Sequence, residues 1–237
     1  ASACQASLAR LAAQADGRPV DADAEMTLVT ADVIVRTILS RPLEEAEAAA
    51  IFESFSRYQK RAGRALMLRF LRLPRKRLQG YLATHAAPIR QWIATAIDAR
   101  LRSNSDGRAG QPTDLLQALI EARDPETGQG FSREELLDQV CFLFLAGHET
   151  SASSLGMAVY LLSRFPEAQQ RLRAEVQTVL NGSTRPLGFE DLRQLSYGAA
   201  LFNETLRLYP PVSFFIREAL QDTDLAGSPL PLGDSAP

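Results

Sequence analysis

From Ser132 to Phe165 the sequence holds nothing that must stop a helix, and both ends are marked. Ser132-Arg133-Glu134-Glu135 is a capping box: the serine oxygen is placed for the backbone N–H of Glu135, and the Glu135 carboxylate reaches back. Phe165-Pro166 ends the run, because the residue before a proline is disfavoured in the α region. At 1.5 Å per residue such a helix is about 48 Å long, enough to cross a whole domain. A chain with this helix is expected to be built around it.

The flanking segments carry helical signals too, each with its own punctuation. Helices are expected over about Met26–Ser40, stopping before Arg41-Pro42, then over Glu44–Arg61, Pro88–Arg102 and Thr113–Ala122. Beyond the central helix, Pro166 opens one that Asn181-Gly182 closes. Short helices over Phe189–Leu195 and Tyr197–Tyr209 follow, the second ended by Pro210-Pro211. Val212–Arg217 and Leu225–Leu232 have the β-branched, aromatic and turn residues of short strands. The fold class is therefore mainly α, with short β-strands near the C-terminus and no internal repeat.

With 237 residues, 46% of them hydrophobic, the chain can bury a sizeable core. A formal charge of -2 gives no global reason for nucleic acid or an anionic membrane as partner. The longest charge-free apolar run, Val140–Gly147, falls far short of the roughly 20 residues of a membrane span. The start, Ala1-Ser2-Ala3-Cys4, has neither Met nor a secretory signal's apolar core and reads as an interior start of a longer chain. Two cysteines, Cys4 and Cys141, lack metal-ligand spacing and suit a reducing cytoplasm. One stretch is strongly basic without an acid, from Arg57 to Arg77, interleaved with Leu66, Met67, Leu68, Phe70 and Leu71. It reads as a solvated helical face, or as an access lid or docking surface.

The centre of the long helix reads Ala146-Gly147-His148-Glu149-Thr150-Ser151, an unusual passage after the apolar Phe142-Leu143-Phe144-Leu145. A mid-helix glycine costs about 1 kcal/mol relative to alanine. Ala146, Gly147 and Thr150 share a face and leave a groove, where Thr150 either returns its hydroxyl to the Ala146 carbonyl or offers it to a bound group. A kinked core helix is the other reading. His148-Glu149 does not make a zinc-protease motif, since position 152 is alanine and the other histidine is His85. His148 reads instead as a polar surface residue or one that supports another group. Further along, Glu204 and Arg207 sit three apart, able to form a bidentate pair. Glu190 and Arg193 repeat that spacing, but the apolar setting of Leu201-Phe202 and Leu208-Tyr209 points to a buried pair at Glu204.

These two ordered motifs resemble the cytochrome P450 family: the first its oxygen-binding signature, Glu204-Thr205-Leu206-Arg207 with Tyr209-Pro210-Pro211 its Glu-x-x-Arg helix. Phe215-Ile216-Arg217-Glu218, Asp224-Leu225-Ala226-Gly227 and Pro231-Leu232-Gly233 are similar to its strand region, and Leu28 to Ile34 resembles a helix before its access lid. The resemblance covers nearly all of residues 1–237 as a single partial P450-like domain, incomplete at both ends. It implies a haem-thiolate monooxygenase with haem b, a small apolar organic substrate, and an electron donor protein or reductase domain. Ala146 and Gly147 would admit dioxygen, Thr150 would hydrogen-bond it or an ordered water, and Glu149 would connect the site to bulk protons. Glu204 and Arg207 would be structural, and Arg217 would pair with a haem propionate. The family's iron ligand lies in a Phe-x-x-Gly-x-Arg-x-Cys-x-Gly loop that this sequence lacks, so no metal ligand is expected within it. Cys141, nine residues before Thr150, points half a turn away from it and reads as an apolar filler. The competing reading is a non-catalytic all-helical binding or scaffold protein that uses residues 57–77.

Overall fold

The computed structural model describes residues 2–13, 17, 19–44, 75–105, 113–214, 217–225, 228–230 and 235–236, and most of those between 47 and 64. Ten of the residues in the basic stretch, 65–74, lie outside these. The chain divides into two compact units, one of residues 1–156 with 186–188 and one of 157–185 with 189–237.

In the first unit, helix α1 covers Ser2–Ala13 and α2 covers Ala22–Leu39. Helix α2 starts four residues before the expected Met26. Asp21 caps it, its carboxylate accepting from Asp23 N and Ala24 N at 3.1 Å, and Asp23 and Glu25 add first-turn acids that favour a helix N-terminus. At the other end Ser40 adopts the left-handed conformation (φ 56°) that closes α2 just before Pro42. Described residues between 47 and 64 are helical, as expected for Glu44–Arg61.

Helix α3, Arg75–Ser105, corrects the expectation of a start at Pro88, because the proline lies inside it. An interior proline costs about 3 kcal/mol, which the burial of Ile89, Ile93 and Ile97 on one stripe offsets. Helix α4, Leu115–Glu121, begins at Asp114, which caps Gln117 N and receives a bidentate Arg100 at 2.9 and 2.7 Å. Burial alone would raise the Asp114 carboxyl, but these hydrogen bonds outweigh it and hold it below the ordinary range. Arg41 and the Trp92 indole N–H converge on Glu47, and the Arg41 hydrogen bonds pull that carboxyl down to about 2.

The central helix, α5, runs Arg133–Arg164, with the capping box closed in both directions: Ser132 N to Glu135 Oε2 at 2.7 Å and Glu135 N to Ser132 Oγ at 3.3 Å. Through Gly156 it belongs to the first unit and beyond to the second. Its Leu136, Leu137, Val140, Cys141 and Phe144 join Val35 and Ile38 of α2, Ile93 and Ile97 of α3 and Leu116 of α4 in one core. These residues recur every three or four positions, the period of a helix face.

In the second unit, α6 covers Pro166–Val179, α7 Phe189–Leu192 and α8 Ser196–Leu208. Arg185 and the buried Asp191 form a bidentate pair at 2.6 and 2.8 Å that ties the loop before α7 to it. The expected strand is absent over residues 212–214, and among the described residues extended structure is confined to four short strands. They are β1 (Arg217–Glu218), β2 (Thr223–Leu225), β3 (Ser228–Leu230) and β4 (Ser235–Ala236). Strands β1 and β4 pair antiparallel with Arg217 opposite Ala236, and β2 and β3 with Asp224 opposite Pro229. The molecule is mainly α, as its sequence implies.

Two phenylalanines on α5 separate core from surface: Phe144 is 1% exposed and Phe142 65%. Phe144→Ala is expected to destabilise the chain by about 3–5 kcal/mol, and Phe142→Ala by about 0.5 or less. Urea unfolding followed by circular dichroism measures both, and equal losses would contradict this orientation of α5.

Candidate functional site

Helix α5 is oriented by its buried stripe, and that stripe dictates what its unusual passage presents. Val140, Phe144, His148 and Ala152 are buried at successive turns. A residue two positions further on is rotated by about 200°, so Ala146, after Phe144, and Thr150, after His148, turn away from the core. Ala146 is exposed and Thr150 half-buried. The Thr150 hydroxyl donates to the Ala146 carbonyl at 2.7 Å, and the Ser154 hydroxyl to the Thr150 carbonyl at 2.7 Å. A hydroxyl used this way keeps lone pairs to accept from a water or ligand and releases its proton donor by one rotation.

Gly147 serves a different contact. A Cβ built there would meet Ile34 Cδ1 at 2.7 Å, so the missing side chain is the space that the tip of Ile34 on α2 occupies. The small-residue surface open to a ligand is therefore narrower than three residues on one face imply. It consists of Ala146 and Thr150.

His148 is not on the surface but 1% exposed, which corrects the sequence expectation. Its Nδ1–H donates to the Phe144 carbonyl at 2.9 Å. The ring stacks on Phe144 at 4.7 Å and meets Phe55 edge-on at 4.4 Å. An imidazole so enclosed fills a core position while satisfying one ring nitrogen on its own helix. Burial lowers its pKa from the ordinary 6.5, so it is held neutral.

Glu149 is half-buried, and its carboxyl titrates above the ordinary glutamate value, first through burial and then through the negative charge of Asp23 on α2. A carboxyl raised in this way carries a proton nearer to neutral pH, as proton donation requires. Asp23 has no motif around it, and only the folded chain brings it to Glu149.

On α8, Glu204 and Arg207 form the expected bidentate pair, at 2.7 Å for Nε and 2.6 Å for Nη2. The pair is exposed rather than buried, with side chains 54% and 67% accessible. Its apolar neighbours Phe202, Leu208 and Tyr209 are also exposed, so no side chains close over it among the described residues. The Arg207 hydrogen bonds hold Glu204 below its usual range. The residue that anchors α8 is one that sequence reasoning missed. Glu175 of α6 accepts from Tyr197 N at 2.7 Å, Gly198 N at 2.8 Å and the Ser196 hydroxyl at 3.2 Å. Helix α8 starts from Leu195, which has no capping side chain, and this lack was the available signal that another element must supply one. Gly198 leaves room for Leu172 and Glu175 there, and Arg171 lies over the Tyr197 ring at 4.3 Å.

Arg217 is exposed on β1. Cys141 is buried, and burial raises its thiol, while Cys4 is exposed on α1. The Cys141 setting does not favour a thiolate. No group of three or more metal-ligating side chains occurs among the described residues.

The sequence model of the cytochrome P450 family matches residues 2–235. The chain belongs to the cytochrome P450 family. It is 34% identical over 220 residues to a cyclooctat-9-en-7-ol 5-monooxygenase of Streptomyces melanosporofaciens, covering 92% of this chain and 46% of the relative. It is 33% identical over 220 residues to a pentalenene oxygenase of Streptomyces avermitilis, covering 92% and 47%. The chain thus spans about half the length of these curated relatives. Its fold is similar to the crystal structure of a mutant cytochrome P450DA haem domain, with a TM-score of 0.79 and 24% identity, covering 99% of this chain and 50% of that one. Other relatives are fusions of a P450 with its NADPH reductase, one from Fusarium oxysporum being 38% identical over 131 residues, 55% of this chain and 12% of the fusion. No helix of the described residues is long and apolar enough to cross a membrane.

The buried imidazole makes stability depend on pH. The folded pKa of His148 lies below the 6.5 of an exposed histidine, so the unfolded state binds more protons as pH falls through that window. Its contribution is complete above 6.5 and is lost towards the lower folded value. His148→Gln is expected to flatten the fall in urea midpoint between about pH 7 and 5. An equally steep fall in both proteins would remove His148 as the cause.

Proposed function

We propose that this P450 chain supplies the oxygen-facing half of a haem-thiolate monooxygenase centre, within a single P450-type domain. The observation that carries this reading is a hydroxyl on the face that α5 turns from its core, Thr150 beside the open Ala146, flanked about 100° round the helix by Glu149, whose carboxyl is raised above the ordinary value. The family is one of haem enzymes, and the residues present fit one side of that group. Ala146 presents only a methyl between the exposed Phe142 and Thr150, a gap that a flat macrocycle would use, and Thr150 offers it a hydroxyl. Haem b when bound supplies the dioxygen activation and electron transfer that no side chain here performs.

This chain's own residues then divide the remaining work. Ala146 leaves space for a diatomic ligand, and Gly147 brings Ile34 close enough to exclude water from that side. Thr150 positions the ligand or a water, and Glu149 holds a proton for it. Glu204 and Arg207 would brace α8, and Arg217 would help to hold the haem through a carboxylate side group, which its planar fork suits. A thiolate to hold the haem would come from outside these 237 residues, since neither Cys4 nor Cys141 suits it. A small apolar organic compound is the substrate class, in line with relatives named as a cyclooctat-9-en-7-ol 5-monooxygenase and a pentalenene oxygenase. Electrons come from a donor protein or reductase domain, as the P450–reductase fusions among the relatives suggest, and two free thiols suit the reducing cytoplasm.

Two experiments test this assignment. The 237-residue chain supplied with haem is expected to give no red-shifted Soret band in a reduced-CO difference spectrum. Such a band would show a thiolate ligand within it. In a longer chain that carries the cysteine loop, Thr150→Ala should divert reducing equivalents to peroxide, lowering product per NAD(P)H by about tenfold or more. Unchanged coupling would take Thr150 out of the mechanism.

A further inference from the structure

Helix α3 carries two stripes of different character. Ile89, Ile93 and Ile97 are buried in the core, and Trp92, Ala96, Ala99 and Ser103 recur at helical spacing about 90° round from them. The second stripe is the floor of an open cavity of about 480 Å³, flanked by Arg41 just beyond α2 and by Arg100 of α3. Small-molecule sites span roughly 300–1,000 Å³, and this cavity falls within that range. Among the described residues none that lines it belongs to α5, so it lies apart from the Ala146–Thr150 face.

The cavity stays open because its charged walls are pinned. Arg41 gives both terminal nitrogens to Glu47, at 2.7 and 2.8 Å, and the Trp92 indole N–H donates to the same carboxylate at 2.9 Å. Arg100 gives both of its own to Asp114, at 2.9 and 2.7 Å. A guanidinium held by two parallel bonds is fixed in direction. Neither arginine is therefore released to swing into the hollow, and Ala96 and Ala99 carry nothing long enough to fill it. The lining atoms lack dispersion partners on that side, and a ligand would supply them.

Charge selects the class of ligand. The two guanidiniums are matched by two carboxylates, so the walls sum to zero. Glu47 is pulled down to about 2 and Asp114 is held below the ordinary range, which keeps that balance across neutral pH. An anion would find each positive charge already met at contact distance. Neutral polar groups are better served. A guanidinium has five N–H donors, and Arg100 spends two of them on its acid while Arg41 spends a third on the Pro42 carbonyl. The Thr95 hydroxyl donates to the Gln91 carbonyl at 2.9 Å and keeps lone pairs to accept. Apolar surface comes from the Trp92 indole and the two alanines.

We propose that this cavity is a binding site for a neutral ring compound bearing a carbonyl or hydroxyl oxygen. The ring lies against Trp92, Ala96 and Ala99, and the oxygen accepts from the flanking arginine N–H groups. The site is separate from the face proposed to meet haem, and its occupancy requires neither haem nor turnover.

Trp92 is the single tryptophan of the chain, so in the 237-residue protein labelled with 15N-tryptophan its indole N–H resonance reports on this cavity alone. Benzamide and benzoate are the probes: they have the same size and shape and differ in charge. At constant ionic strength benzamide should shift the resonance saturably, with a Kd on the order of millimolar for so small a ligand. Benzoate should bind about threefold more weakly or less tightly still, since the walls offer it no net charge. Ala99 is exposed, and Ala99→Leu puts a side chain into the hollow on a residue type that keeps the helix. It should weaken benzamide by about tenfold or more. An indole resonance that benzamide leaves unshifted would overturn the proposal, as would a shift undiminished in Ala99→Leu. Benzoate binding as tightly as benzamide overturns the neutral class. If circular dichroism shows that Ala99→Leu does not fold, Thr95→Leu, exposed on the same cavity, blocks it instead and is read in the same way.

Discussion

The face of α5 that buries Val140, Phe144 and His148 is the constraint on which the rest of the molecule depends. A helix can turn only one stripe to a core, and each residue on that stripe fixes the direction of those two positions away. Phe144 and His148 point inward together because one stacks on the other and accepts its N–H through the backbone. Ala146 and Thr150 then turn outward. The direction of the candidate site is in this sense a consequence of packing: a histidine in the core aims the threonine two positions on.

Acids in this chain illustrate how environment assigns roles to identical groups. Asp114, Glu47 and Glu175 are each met by guanidinium or backbone N–H donors, are held ionised and tie one element to another, while Glu204 is held ionised by Arg207 of its own helix. Burial and the Asp23 charge move the Glu149 carboxyl the other way. The same functional group is thus held ionised in four places and shifted towards its protonated form in one. Motifs alone do not separate these cases, as Glu190 with Arg193 shows: it has the spacing of Glu204 with Arg207 but makes a looser exposed contact at 3.3 Å.

Much of the fold was legible because the signals were local. The Ser132–Glu135 capping box, Phe165-Pro166 and Asn181-Gly182 bound the helices at or near where they occur, since capping and proline sterics act within a few residues. Errors arose where distant packing outweighed a local rule. Pro88 continues a helix whose isoleucines are buried, and α2 begins at Asp21 because its carboxylate finds two amides that no hydrophobic period reveals. The extended segments at the C-terminus were placed only roughly, because strands this short depend on their partners.

By itself the sequence determined the long central helix, the bidentate spacing of Glu204 and Arg207, the inert placing of Cys141 and the family to which the chain belongs. Each of these follows from residues near one another in the chain or from an ordered pattern along it. The tertiary structure alone decided that His148 is core, that Glu204 and Arg207 are exposed, that Ile34 fills the hollow at Gly147 and that Glu175 and Asp23 act on helices other than their own. Burial and cross-helix electrostatics belong to pairs of segments far apart in sequence, and no local pattern encodes which of them meet.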